Sequence, residues 1–175
     1  MSGRPEILFP LFAELTALDG IGPKTAKNYA GLHVLTPKDL LLTLPISGTD
    51  RTKRASIRNV VAPGVATVEV TIGQHHAPSG RGRPYRVEVE DAETSFYLVF
   101  FHADDRYLTK ALPTGSRRVV SGKLELFDGV AQMVHPDHIL PIEDADSIPE
   151  FEPIYPLSAG ITQKGIAKSI KSALP

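Results

Sequence analysis

The chain has no cysteine, which removes disulfides, thiolate zinc sites, iron–sulfur clusters and cysteine nucleophiles, and suits a reducing compartment. It also lacks any excess of positive charge. Its 19 Lys and Arg against 20 Asp and Glu leave a net charge of −1, so the surface as a whole cannot hold a nucleic acid and any such site must be local. No apolar run approaches membrane-spanning length, and the start MSGRPEILFP has neither a long apolar core nor an A-x-A-like cleavage site, which reads as cytoplasmic with no membrane partner. There is no G-x-x-x-x-G-K-[ST] loop to cradle a triphosphate and no evident Ser/His/Asp set, so no cofactor and no catalytic residue are expected in this stretch. No convincing internal repeat is present.

What is there is an ordinary globular composition, 42% hydrophobic and 22% charged over 175 residues, enough for one domain and a smaller helical piece. The first 45 residues read as short helices. Pro10 suits the first position of a helix carrying Leu11, Phe12 and Leu15, Lys24 to Ala30 suits a second, and Thr36-Pro37-Lys38-Asp39 opens a third with a cap and a capping-box acid. From Val65 the period changes to alternation. Val65–Ile72, Tyr85–Glu90 and Thr94–Phe101 read as strands, Asp104–Leu112 as a short helix, and Arg117–Phe127 with Val130–Val134 as two strands joined by an Asp128-Gly129 hairpin. Three strands, a helix and two strands is the order of an OB-fold, a five-stranded partly open barrel, so the predicted class is mainly β with a helical N-terminal segment. The proline-rich stretch 136–156 reads as extended. Thr162 caps a last helix whose Ile166 and Ile170 find no evident partner, as if the chain were cut short.

Three places can carry binding chemistry. The Gly20–Lys24 segment resembles a helix-hairpin-helix turn. Gly20 and Gly22 allow a tight turn that presents amides at a helix start, with Lys24 adding charge for a phosphate; a packed connector explains it equally well. In Phe96-Tyr97-Leu98-Val99-Phe100-Phe101-His102 an alternating strand cannot bury both Phe100 and Phe101, so one of them faces outward as a platform for a base unless another element covers it. The predicted turn Gly73–Arg83, with His75, His76, Arg81 and Arg83, lies at the first OB loop. Metal binding by His75 and His76, or by His135 and His138, is disfavoured, and helix capping explains Asp104 and Asp105 better than paired catalytic carboxylates do. The basic clusters Arg51/Lys53/Arg54/Arg58, Arg117/Arg118/Lys123 and Lys164/Lys168/Lys171 each read as solvated faces.

The order of Leu18-Asp19-Gly20-Ile21-Gly22-Pro23-Lys24, Thr36-Pro37-Lys38-Asp39-Leu40-Leu41, Asp50-Arg51, Val99-Phe100-Phe101-His102, Gly122-Lys123, Met133-Val134-His135-Pro136-Asp137 and Pro153-Ile154-Tyr155-Pro156-Leu157 resembles the N-terminal part of RecG helicases. The resemblance implies a helical region over 1–50, an OB-fold wedge domain over 51–142, and an extended linker with the start of a helix over 143–175. It implies a module for branched or single-stranded DNA, not itself an enzyme, in a monomeric, nucleoid-associated repair and recombination helicase. ATP and magnesium would belong to that helicase's motor, and a single-strand-binding protein would be a further partner. It assigns stacking to Phe101 and the core to Phe100. The family's second aromatic position is Asp105 here, with Tyr107 nearby, and His102, Arg81 and Arg83 complete the expected DNA-contacting set. A protein-interaction OB module is the alternative.

Overall fold

A computed structural model describes residues 5–80, 82–102 and 104–174. In chain order it contains α1 (Pro23–Ala30), α2 (Pro37–Leu41), β1 (Ser47–Asp50), β2 (Lys53–Arg54), β3 (Gly64–His76), β4 (Tyr85–Glu90), β5 (Ser95–Phe100), α3 (Asp105–Ala111), β6 (Arg117–Phe127), β7 (Val130–Val134), β8 (His138–Pro141), β9 (Phe151–Ile154) and α4 (Gln163–Ala173). The chain divides into a helical unit, Met1–Gly48 with Pro153–Pro175, and a barrel unit, Thr49–Glu152.

In the barrel unit β3 pairs antiparallel with β4 and β4 with β5. Strand β5 pairs parallel with β7, β7 antiparallel with β6, and β6 returns to β3. That five-strand circuit, with α3 between its third and fourth strands, is an OB-type barrel. It is elaborated by β2 along part of β3 and by β8 along β6. Alternation fills it: Val68, Val70 and Ile72 from β3, Val87 and Val89 from β4, Phe96, Leu98 and Phe100 from β5, and Met133 from β7 make one buried cluster, closed by Leu108 and Leu112 at α3. Gly122 belongs to that inner face because β6 passes close to its neighbours there. A Cβ at this position would lie 2.9 Å from Met133 Sδ and 3.0 Å from Pro136 Cα.

The first strand runs further than alternation indicates. A register shift between Ile72 and His75 lets β3 continue to His76, so both histidines lie on a strand and not in a turn. His75 is then occupied structurally: Nδ1 meets the Tyr85 hydroxyl at 2.9 Å and Nε2 the Leu112 carbonyl at 2.8 Å.

In the helical unit, Leu15, Ile21, Tyr29, Val34, Leu40, Ile161 and Ile166 form a second core with Ile170 against it. The expectation of a last helix without a partner is therefore corrected: α4 closes over the N-terminal helices, and the Tyr29 hydroxyl donates to Ser169 Oγ at 2.8 Å. Residues from Pro153 onward belong to the helical unit, and β8 with the 3-10 turn Ile142–Ser147 belongs to the barrel unit. The predicted first helix is instead two 3-10 turns, Glu6–Phe12 and Leu15–Ala17, because Pro10 sits inside the first one and has no N–H for an α-helical bond.

Candidate nucleic-acid interface

Alternation along β5 decides which ring is available. Phe100 points inward and is 8% exposed, whereas Phe101, one residue on, is 43% exposed. Its backbone N–H donates to His135 Nε2 at 3.2 Å, and the two rings lie 5.9 Å apart, tilted by 38°. The ring is thus supported on one side and open on another. His102 (φ 56°) and His135 (φ 45°) both hold left-handed backbone that side chains rarely adopt, so the chain is bent sharply on each side of this ring.

The β3–β4 loop comes to the same place. A groove of about 250 Å³ is lined by Pro78, Gly80, Gly82, Arg83, Tyr85, Phe100, Phe101 and His102. The structure therefore brings Arg83, Phe101 and His102 together, while Arg81 lies outside the described residues. The Arg83 guanidinium donates to the Ser79 hydroxyl at 3.3 Å, and neither it nor the side chain of Arg86 or Arg106 forms an ion pair among the described residues. Tyr85, which lines the groove, has its phenol held above its ordinary value, by burial first and by the negative charge of Asp105 second. Tyr107, in the first turn of α3, is 70% exposed. Asp104 caps that helix, its Oδ1 accepting from the N–H groups of Arg106 at 2.8 Å and Tyr107 at 3.0 Å, so its carboxylate is engaged as a cap.

In the helical unit, Gly20 has φ 79°, where a side chain is strained, and Gly22 precedes Pro23 at the first position of α1. No side chain caps α1, and Lys24 is exposed in its first turn. Lys168 of α4 was not foreseen here: its Nζ lies 3.8 Å from where a Gly20 Cβ would sit.

Most other basic residues are spent on neighbours. Glu69 takes both Lys53, at 3.2 Å, and Arg117; Arg54 pairs with Asp50 at 3.1 Å; Lys123 pairs with Glu125 at 2.7 Å. Arg51, read from sequence as part of a solvated basic face, is instead 7% exposed. It donates to Glu152 at 2.6 Å, Asp137 at 2.9 Å and Ser121 Oγ at 2.9 Å. Only the coming together of distant carboxylates reveals that role, and nothing local in the sequence marks it. Among the described residues no group of His, Asp and Glu is arranged to hold a metal, and no helix is long and apolar enough to cross a membrane.

A family model described as the RecG wedge domain matches residues 14–175. The ATP-dependent DNA helicase RecG of Escherichia coli O127:H6 (strain E2348/69 / EPEC) is 29% identical over 165 residues, 91% of this chain and 23% of that protein. The RecG helicase of Streptococcus pneumoniae serotype 4 (strain ATCC BAA-334 / TIGR4) is 27% identical over 168 residues, covering 93% and 23%. A solved structure of RecG bound to a three-way DNA junction superposes with a TM-score of 0.72 at 22% identity, covering 98% of this chain and 23% of that one. The chain thus spans about a quarter of the length of these relatives. With an OB-type circuit carrying an open ring at its third strand and a family model spanning nearly all residues, the chain belongs to the RecG wedge domain family.

Proposed function

We propose that the barrel unit is a branched-DNA recognition module of an ATP-dependent helicase acting in repair and recombination, with strand separation driven by a motor that this stretch does not supply. The observation that carries the reading is Phe101, open on the barrel surface and bordered in one groove by Arg83 and His102. A ring at that position stacks on a base that has lost its partner, and Arg83, with Arg86 and Arg106 close by in sequence, supplies local positive charge that the net charge of the chain does not. Tyr107, exposed in the first turn of α3, is a further aromatic available for stacking, and the Gly20–Lys24 turn with Lys168 offers a phosphate contact from the helical unit.

Fluorescence anisotropy with a fork and a linear duplex of matched length tests this. The fork should bind more tightly, and Phe101→Ala should weaken it about 5- to 150-fold, the equivalent of one stacked base at roughly 1–3 kcal/mol. Equal affinity for both DNAs, with Phe101→Ala silent, rejects the reading. Affinity should fall only modestly with salt, because few phosphates are engaged.

A further inference from the structure

We propose that Phe127 is a second base-stacking platform, at the far end of an outer-face track that starts at Phe101, and that one unpaired DNA strand runs between the two rings across β5 and β7. The proposal rests on the barrel being a DNA-binding module and names the path on it.

The register carries the assignment. Tyr97 lies opposite Gln132 and Val99 opposite Val134; on the next strand Glu125 lies opposite Gln132 and Phe127 opposite Val130. Phe96, Leu98, Phe100, Leu124 and Met133 are all core. Because neighbours on a strand point to opposite faces, Tyr97, Val99, Phe101, Gln132, Val130 and Phe127 share the outer face, with Val99 buried at 2% exposed between Tyr97 and Phe101. Phe127 is 55% exposed and Val130 47%, more than Phe101 itself. Nothing in the barrel core uses them, since they flank the Asp128-Gly129 tip beyond the packed interior.

The span fits one strand. In the β5–β7 register Val130 is level with Ser95, so the two rings are separated by the length of β5, roughly 20 Å at about 3.3 Å per residue, inside the roughly 4–16 nucleotides that an OB-fold covers. The last hairpin of such a barrel borders its ligand face. Between the rings, Tyr97 is half-buried with His76 edge-on to it at 5.9 Å, and Arg86 stands opposite Val99, exposed and without an ion pair among the described residues. The face is not strongly basic: Glu125 is paired with Lys123, and Glu88 lies opposite Tyr97. Ring stacking, and not charge, therefore carries the contact at the Phe127 end. That favours bases of an unpaired strand over the phosphates of a duplex.

The test uses the whole chain with two forks, one without an unpaired arm and one with an arm of about ten nucleotides, long enough for the OB track. Phe127→Ala should leave the armless fork unchanged and weaken the armed fork about 5-fold or more, with the salt slope unaltered; Phe127→Trp should restore binding and exclude a folding defect. Wild-type binding of the armed fork by Phe127→Ala overturns the proposal, as does an equal loss on both forks. If Phe101→Ala abolishes fork preference while Phe127→Ala is silent, the DNA-binding reading stands and the track does not. If the unaltered chain shows no fork preference, the reading beneath the track has failed.

Discussion

Asp91→Asn perturbs the residue that ties the entry segment and the β4–β5 turn to the barrel. One carboxylate oxygen accepts the Ile57 N–H at 2.7 Å; the other accepts those of Glu93 and Thr94, each at 2.9 Å. The residue is 8% exposed. Burial pushes its carboxyl up, but the backbone donors of Glu93, Ile57 and Thr94 and the Ser56 hydroxyl outweigh this and hold it below the ordinary 3.8. An amide keeps one acceptor and turns its NH₂ toward a backbone N–H. Losing one charge-assisted bond and orphaning a buried donor should cost about 2–3 kcal/mol at neutral pH, given roughly 1.5–3 for the bond and 1–3 for the orphan with partial relaxation. A carboxyl depressed in the folded state contributes stability that is complete above its unfolded value near 3.8 and is lost as pH falls through the lower folded value. Urea unfolding followed by circular dichroism should therefore show a wide gap between the two proteins at pH 7 that narrows steadily below about pH 4. A gap of the same size at acid and neutral pH, or one under about 0.5 kcal/mol at pH 7, would refute the assignment of this carboxylate as the anchor.

Three further expectations concern stability. Gly122→Ala forces a methyl group against Met133 Sδ and the Pro136 backbone and should cost about 1–3 kcal/mol in thermal unfolding, part of it recovered by shortening Met133 to Ala in the double variant. Ile166→Ala removes a side chain with no exposed surface from the helical core and should cost about 2–5 kcal/mol, seen as lost hydrogen-exchange protection in α1 and α4. Arg51→Met breaks three hydrogen bonds, but Glu152 and Asp137 are 33% and 50% exposed and can rehydrate. The cost should thus be about 2 kcal/mol, below the 3–5 of a fully enclosed pair, and fork binding should be unaffected.

The barrel was legible because its signals are local. Alternation over Tyr85–Glu90, the Asp128-Gly129 hairpin and the Asp104 cap each depend on a few neighbouring residues and stand in the structure where the sequence puts them. The same parity rule separates Phe100 from Phe101. What could not be read depends on distant partners. The burial of Arg51 requires carboxylates from residues 137 and 152, and the apolar face of α4 is covered by helices more than a hundred positions earlier. The continuation of β3 to His76 hangs on a bulge, whose extra residues interrupt the alternation by which a strand is recognised. Phe127 has the parity of Lys123 and Glu125, opposite that of core Leu124, but only the register shows that it stands beside Val130.

The helical core draws on both ends of the sequence, with Leu15, Tyr29 and Leu40 from the start and Ile161 and Ile166 from the finish. A ribosome therefore releases the whole barrel while the opening segment is still waiting for its complement, and its apolar side chains stay unshielded for all of that interval. The order of maturation is built into the layout: the sheet can close first, and the helices can settle only once α4 has been made.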